Sequence, residues 1–207
     1  MRILGEVNLR NPVFVDLTAF QGSPVQSMGL VLIEKSRADR IGELYSPYFE
    51  DYVTVGSSGL SSLPKIEFHA SSSVTPNLLV LTGEQYADPN DVYAHYEIAE
   101  TVLDHAIALG CKTFASCTVF RSRRAKDAIY VASTTSREAS GLAERLGAKT
   151  FSFGRIVSQM GPLLGLARAR GFKVMSILGP LKSSAEDEAL PGILLDALAE
   201  ALELKLV

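Results

Sequence analysis

Tryptophan is absent from this sequence of 207 residues, which contains only two cysteines and three histidines. Cys111 and Cys117 flank a strand-like run, and six extended residues separate their Cα atoms by about 20 Å, far beyond the ~7 Å that a disulfide allows. No third cysteine lies nearby, and no two histidines have the helical four-residue spacing of metal ligands. The sequence therefore predicts no disulfide and no metal site, and we expect a reducing, cytoplasmic setting.

A charge excess of one sign is also missing. The 20 basic and 23 acidic residues leave a net charge of -3. This balance argues against a nucleic-acid-binding or anionic-membrane protein, because phosphate binding needs a basic surface. No window approaches the ~18 consecutive apolar residues of a membrane span. The first residues also lack the apolar run of a signal peptide, so we expect neither a membrane segment nor a targeting signal.

One short pattern occurs three times along the chain. A helix-like segment ends at a glycine and a short apolar run follows, at Gly110, Gly147 and Gly171. Glycine adopts the left-handed conformation at a helix end without steric penalty. Such repeated joints are typical of α/β proteins with a largely parallel sheet. We predict a single α/β domain over residues 1–207, with a hairpin appendage at about 48–75.

The hydrophobic pattern predicts where the individual elements lie. Strands are predicted at 13–17, 41–45, 52–55, 65–70, 78–81, 113–119, 129–133 and from 151, then at 173–178. Helices are predicted at 24–35, with Ser23 as the N-cap, and at 91–109, 137–146, 162–170 and 186–202. The strands at 52–55 and 65–70 are predicted to pair with each other across the turn that contains Gly56 and Gly59.

The strand predicted at 78–81 leads directly into a polar segment. Gly83, Glu84 and Gln85 follow it, and the carboxyl ends of central strands are where open α/β sheets bind ligands. Glu84 and Gln85 could hold a polar ligand or take a proton. The alternative is a turn in which Gly83 supplies an unusual backbone angle and the polar side chains are solvated.

Two further residues are candidates for the same ligand site. His95 borders the apolar stripe of the helix at 91–109 and could form a base–carboxylate pair with Glu84. It could equally be a structural histidine. Gly161 precedes a helix whose N-terminus could bind an anion, although Gly161 and Gly165 also suit close helix packing. The sequence contains no phosphate-binding or dinucleotide-binding fingerprint, and we predict no catalytic residue and no cofactor.

The two other histidines suggest no function. His105 shares the polar face of its helix with Thr101, so we expect its imidazole to be solvated. His69 closes a strand of the predicted hairpin, and we expect it to be peripheral.

One dense basic cluster is present, at Arg121, Arg123, Arg124 and Lys126. It could contact an acidic protein partner or a phosphate. The alternative is a mobile loop whose charges are solvated.

Four stretches, at 43–47 (ELYSP), 78–85 (LLVLTGEQ), 95–110 (HYEIAETVLDHAIALG) and 161–171 (GPLLGLARARG), occur in this order. Together they resemble the archaeal and bacterial relatives of the proteasome assembly chaperones. The resemblance implies a three-layer α/β/α sandwich with a mixed, mostly parallel sheet, phosphorylase/hydrolase-like, usually assembled as a homo-oligomer. It also implies an ATP-independent chaperone whose protein partners are proteasome α subunits.

The resemblance also bears on the end of the sequence. Some relatives dock into proteasome pockets through a tail that reads hydrophobic–Tyr–any. Here Leu206 and Val207 end the sequence and no tyrosine precedes the last residue, so we treat both as candidate partner contacts. The alternative function is a small-molecule enzyme of phosphorylase/hydrolase-like fold, acting near Glu84, and some relatives are labelled ATP-grasp carboxylate–amine ligases. The lack of a strong catalytic motif favours the chaperone.

Overall fold

The helices and strands are those of a computed structural model, which describes residues 1–19, 22–56, 58–83, 87–88, 90–121, 128–152, 154–156, 160–181 and 187–206. The strands in these residues are β1 (Arg2–Ile3), β2 (Val13–Asp16), β3 (Asp39–Leu44), β4 (Thr54–Val55), β5 (Ser61–Ser62), β6 (Ile66–Ser71), β7 (Leu78–Gly83), β8 (Thr113–Phe120), β9 (Tyr130–Ser133), β10 (Lys149–Thr150) and β11 (Lys173–Pro180). The helices are α1 (Pro24–Ser36), α2 (Val92–Ala108), α3 (Ser136–Arg145), α4 (Met160–Ala169) and α5 (Leu190–Ala201).

One mixed sheet contains nine of the strands found in the described residues, in the order β1-β3-β6-β7-β2-β8-β11-β9-β10. The central strands β7, β2, β8 and β11 run parallel to one another. On one side β1, β3 and β6 add antiparallel neighbours, and on the other side β9 runs antiparallel to β11. The remaining strands, β4 and β5, form a separate two-stranded ribbon. The mixed sheet with a parallel centre agrees with the predicted fold class.

Two hydrophobic cores lie on opposite faces of the sheet, because successive strand residues point to opposite faces. Val13 and Val15 pack with α1, α3 and α5 on one face. Phe14 packs with α2 and α4 on the other face. The central strands are therefore apolar on both faces, as strands covered by helices on both sides must be. The result is three layers, with helices above and below the sheet.

Local chemistry explains the helix ends that the sequence predicts. Ser23 Oγ accepts a hydrogen bond from Val25 N at the start of α1 (3.3 Å), which confirms the predicted N-cap. After α2, α3 and α4 the chain turns through Gly110, Gly147 and Gly171, all with positive φ. The predicted glycine joints are therefore confirmed.

The pairing predicted for the strands at 52–55 and 65–70 is wrong. Thr54–Val55 pairs with Ser61–Ser62, whereas Ile66–Ser71 lies between β3 and β7 in the main sheet. Ile66 and Phe68 are buried in the core beneath α2, and a peripheral ribbon could not bury these large side chains. Core burial therefore outweighs the local turn signal.

The predicted position of the last helix is too early. A short 3-10 turn at Asp187–Ala189 precedes α5, which starts at Leu190 with Pro191 in its first turn. Proline lacks a backbone N–H and suits the first turn of a helix but not its interior.

The close helix packing predicted at Gly165 is not found, because Gly165 is exposed and an added Cβ would meet nothing within 4 Å.

The predictions for two histidines are wrong. His105 is half-buried, and its ring packs edge-on against Phe68 with 4.7 Å between ring centroids. Burial lowers the pKa of His105. His69 lies within β6 of the main sheet, where its Nε2 is 3.3 Å from Glu67 Oε2. The prediction for His105 fails because its contact with Phe68 joins residues that are far apart in sequence. The prediction for His69 fails because its strand pairs with β3 and β7 and not with the strand at 52–55.

The two cysteines are free thiols, as the sequence predicts, and the structure shows that both are buried. Burial raises the pKa of Cys111 to about 12, so it remains a protonated thiol at neutral pH. Among the described helices, none combines the length and the apolar character needed to cross a membrane.

Candidate functional site

A row of buried polar side chains crosses three central strands at one level. Asp16 of β2 is in register with Ser116 of β8, and Ser116 is in register with Ser176 of β11. All three residues are at most 1% exposed, and Ser116 Oγ donates to Ser176 Oγ over 3.0 Å. Phe14 and Phe114 precede this row by two residues and pack under α2 and α4. The row therefore faces the same two helices.

The carboxyl group of Asp16 is only half satisfied. Its Oδ1 accepts hydrogen bonds from the backbone N–H of Thr18 (2.9 Å) and from Thr18 Oγ1 (2.8 Å). Its Oδ2 is buried and has no hydrogen-bond partner within the described part of the chain. Desolvation raises the pKa of Asp16 to about 6, although the two bonds from Thr18 oppose the shift. An ionised Asp16 is therefore costly unless a donor reaches Oδ2.

A small cavity lies beside Asp16, under the first turns of α2. Its volume is about 10 Å³, which is about the room that one water molecule needs. Asp16, Thr18 and His95 supply its polar lining. The rest of the lining is aliphatic and consists of Ile66, Leu81, Ile98, Ala99, Val102 and Leu163. The cavity is thus an apolar space with polar groups at one end.

The position of His95 follows from the way α2 begins. Asp91 Oδ1 accepts a hydrogen bond from Ala94 N (3.0 Å) and caps the helix. One residue later, His95 Nε2 lies 2.9 Å from the carbonyl oxygen of Asp88. Because a carbonyl oxygen only accepts, Nε2 is the donor and the ring orientation is fixed. The loop before α2 thereby holds the imidazole at the cavity.

The structure brings only some of the predicted ligand-site residues to this cavity. His95 lines it, whereas Gly83 lines a different groove. Glu84 and Gln85 lie outside the described residues, so the predicted pairing of His95 with Glu84 stays a prediction. Gly161 lies in the first turn of α4, where an added Cβ would be 2.7 Å from the carbonyl oxygen of Ile156. Close backbone approach explains a glycine there without any ligand.

Gly83 has a structural requirement that can be tested. Its φ is +131°, and an added Cβ would be 2.8 Å from the carbonyl oxygen of Lys65. We expect Gly83→Ala to lower the free energy of unfolding by about 2–4 kcal/mol through strain and steric overlap. Gly141→Ala, at an exposed position in α3 with open space, should raise it by about 0.5–1 kcal/mol. Urea unfolding measures both, and equal effects of the two substitutions would contradict this account.

Of the predicted partner contacts, two are described. Arg121 is exposed. Leu206 is half-buried and packs against the core on the face of the sheet that α1, α3 and α5 cover, and Lys205 N donates to the carbonyl oxygen of Thr75 (3.2 Å). The segment before the last residue is thus attached to the body of the protein. Outside the described residues lie Arg123, Arg124, Lys126 and Val207.

A wider groove opens on the opposite face of the sheet, between α1 and the β4–β5 ribbon. Its volume is about 250 Å³. Two large apolar side chains that line it, Leu30 and Leu63, are exposed. Together with the exposed Val53, Val55 and Leu60, which lie in or beside the β4–β5 ribbon, they form a set that we call the apolar rim. Large exposed apolar patches on proteins often mark surfaces that bind another molecule.

The floor of the groove is charged, but its charges are paired with each other. Lys65 Nζ lies 2.6 Å from Glu43 Oε1 and 2.8 Å from Glu67 Oε1. Arg40 Nη1 lies 2.8 Å from Glu67 Oε1. Hydrogen bonds from His69, and then from Lys65 and Arg40, hold the pKa of Glu67 well below its usual range. The charges of this network therefore stay ionised and balance one another.

Sequence reasoning missed Asp16, the residue with the most unusual environment. A signal was present: Asp16 ends the apolar run Val13, Phe14, Val15 and is followed by Leu17. A carboxylate within a run that is buried on both faces of a sheet is unusual. The register with Ser116 and Ser176 depends on strand order, which the run itself does not reveal.

Residues 22–207 match the family model described as "PAC2 family". The chain belongs to the PAC2 family. This membership confirms the resemblance to the relatives of the proteasome assembly chaperones. A search of curated protein sequences finds no match.

Several solved structures share the fold of this PAC2-family chain. PbaB of Pyrococcus furiosus, described as an archaeal proteasome activator, superimposes with a TM-score of 0.85 at 23% identity, covering 99% of this chain and 89% of that chain. PbaA of Pyrococcus furiosus, described as an archaeal homolog of proteasome-assembly chaperone, gives 0.77 at 19% identity, covering 100% and 83%. A proteasome-assembly chaperone homologue from Mycobacterium tuberculosis gives 0.70 at 12% identity, covering 94% and 87%. These similarities confirm the predicted fold class.

Proposed function

We propose that this PAC2-family chain is a chaperone-like protein that binds proteasome α subunits in the cytoplasm, without ATP and as a homo-oligomer. The observation that carries the proposal is the fold shared with PbaB, which extends over 99% of this chain and 89% of that chain. PbaB is described as an archaeal proteasome activator, and PbaA as a homolog of proteasome-assembly chaperone. These two solved structures, both described as proteasome-related, and the family match together support a protein partner of this kind.

The apolar rim is the surface best suited to this binding. Leu30 is 67% exposed and Leu63 is 59% exposed, and the two stand on different walls of the same groove. The buried core of a protein interface is typically apolar and surrounded by polar groups. Covering the rim would remove large apolar side chains from water, which is the main source of binding energy in such contacts.

Two other segments are proposed as secondary contacts. Arg121, together with Arg123, Arg124 and Lys126, would attract an acidic surface and speed the encounter. Leu206 and Val207 would contribute apolar contacts at the end of the sequence. Because Leu206 packs partly against its own core, its use would require this segment to move.

The proposal predicts that the apolar rim controls binding. We expect the double variant Leu30→Glu with Leu63→Glu to bind purified α subunits from the same organism at least ~10-fold more weakly, because it places charges in a surface that must lose water. Ile107→Glu is the matched control, since Ile107 is 44% exposed on α2 at the other face of the sheet. Titration calorimetry of the wild type and both variants, with and without ATP, gives the affinities.

The outcome can contradict the proposal in two ways. If the wild type does not bind the α subunits, the proposed partner is wrong. If the double variant binds as well as Ile107→Glu, the apolar rim is not the contact. Charge reversal at Arg121, Arg123 and Arg124 should slow association most at low salt, which separates the basic cluster from the rim.

A further inference from the structure

The first turns of α2 and the loop after β3 share a surface rich in tyrosine. We call it the tyrosine patch, and it consists of Tyr48, Val92, Tyr93 and Tyr96. The rings of Tyr48 and Tyr93 meet edge-on, with 6.1 Å between their centroids. Tyr96 follows Tyr93 by three positions and Val92 by four, so the three are neighbours on the helix surface. Val92, Tyr93 and Tyr96 are 66%, 64% and 48% exposed, although tyrosine is enriched where proteins bind one another.

The helix turn that carries the patch is firmly anchored. Asp91 caps the helix by accepting a hydrogen bond from Ala94 N, and His95 Nε2 donates to the carbonyl oxygen of Asp88. Ala94, His95 and Ile98 point inwards and are buried. The exposed side chains between them therefore stand on a fixed backbone. A surface that is ordered before binding loses less conformational freedom when a partner arrives.

Both segments that supply the tyrosine patch are acidic. Residues 48–52 and 88–97 contain no lysine or arginine. Their five carboxylates form no salt bridge within the described part of the chain, and they are Glu50, Asp51, Asp88, Asp91 and Glu97. Further along α2, by contrast, Arg170 pairs with Glu100 and Asp104. Negative charge beside the patch is therefore left without a partner.

The mixture of rings and carboxylates limits what can cover the patch. The charge of Glu97, and then the hydrogen bond that Tyr93 donates to it, raise the pKa of Tyr93, so a carboxylate lies next to an exposed ring. A guanidinium group can bind a carboxylate and also stack on an aromatic ring, whereas an ammonium group is more strongly hydrated. A second copy meeting the same patch would bring like charges together. Phosphate groups of nucleic acids or lipids would be repelled.

We infer that the tyrosine patch and the carboxylates beside it form a docking surface for an arginine-rich segment of a partner protein. Arginine side chains of the partner stack on Tyr93 and Tyr96 and pair with Glu97. The patch lies on α2, on the face of the sheet opposite α1 and its groove. It is thus separate from the apolar rim and does not depend on the proposed binding of α subunits.

A fluorescein-labelled peptide in which arginine alternates with glycine is the probe that tests this surface. We expect saturable binding by fluorescence anisotropy at physiological ionic strength, and about 3-fold weaker binding of the matching lysine peptide. Tyr93→Ser with Tyr96→Ser should weaken binding of the arginine peptide by about 10-fold. Phenylalanine at both positions should keep most of the affinity, because the ring faces remain. Ile107→Ser, at an exposed position further along α2, is the control and should bind as the wild type does.

A second pair of variants tests the contribution of charge. Glu97→Gln should weaken binding by about 3-fold, whereas Glu200→Gln, which removes an exposed carboxylate of α5, should leave it unchanged. The inference is wrong if the lysine peptide binds as tightly as the arginine peptide, or if the double serine variant matches Ile107→Ser. It is also wrong if sedimentation shows that the double serine variant forms a smaller oligomer than the wild type, because the patch would then be a contact between copies.

Discussion

The free energy of unfolding of Asp16→Asn should increase relative to that of the wild type as the pH rises. The unfolded carboxyl ionises near its ordinary pKa of 3.8, whereas in the folded protein the pKa is about 6. Between these values the folded state holds a proton that the unfolded state has released, so wild-type stability from this group falls as pH rises through about 6. The difference in unfolding free energy should grow by about 3 kcal/mol from below pH 4 to pH 8.

Urea unfolding followed by circular dichroism, at pH 4, 6 and 8, measures this difference. Comparing variant with wild type removes the contribution of other titrating groups, His105 included, because both proteins share them. Asp39→Asn is the control, since it removes an exposed carboxyl group of β3 in place of a buried one. A flat difference for Asp16→Asn would show that the folded protein provides Oδ2 with a donor.

Truncating Phe114 to alanine should lower the free energy of unfolding by about 3–5 kcal/mol. Phe114 is 0% exposed on the central strand β8, and its ring centroid lies 5.0 Å from that of Phe14. Strands on both sides and helices above keep the surroundings from collapsing into the space that the ring leaves. Both the lost burial and the cavity therefore contribute to the loss.

Leu30→Ala is the control for this prediction. Leu30 is 67% exposed, so its truncation should change the unfolding free energy by no more than about 0.5 kcal/mol. Circular dichroism is the suitable signal, because the protein has no tryptophan to report unfolding by fluorescence. A loss below about 2 kcal/mol for Phe114→Ala would mean that the core rearranges around the deleted ring.

The elements that sequence reasoning located well are those specified by neighbouring residues. Apolar runs such as Val13–Asp16 and Leu78–Gly83 form central strands, and Gly110, Gly147 and Gly171 end helices with positive φ. Ile66–Ser71 was given the wrong partner because pairing depends on which distant strand buries its apolar face. The start of α5 was placed too early because the helix prediction ignored the constraint that Pro191 imposes.

The candidate site was harder to predict than the fold. His95 was identified from its place beside an apolar stripe, and it does line the cavity. Asp16 was missed because its burial results from the order of the strands and from α2 above it. The prediction that the imidazole of His105 is solvated is wrong for the same reason, since its contact with Phe68 joins residues 37 positions apart. Local periodicity does not encode such contacts.

The outermost strands of the described sheet, β1 and β10, have only two residues each. Short outer strands leave few unpaired backbone N–H and C=O groups, so a foreign segment could gain little by extending the sheet at either side. Any polypeptide that this protein holds would then be recognised through side chains. The same shortness protects the molecule from edge-to-edge aggregation with its own copies.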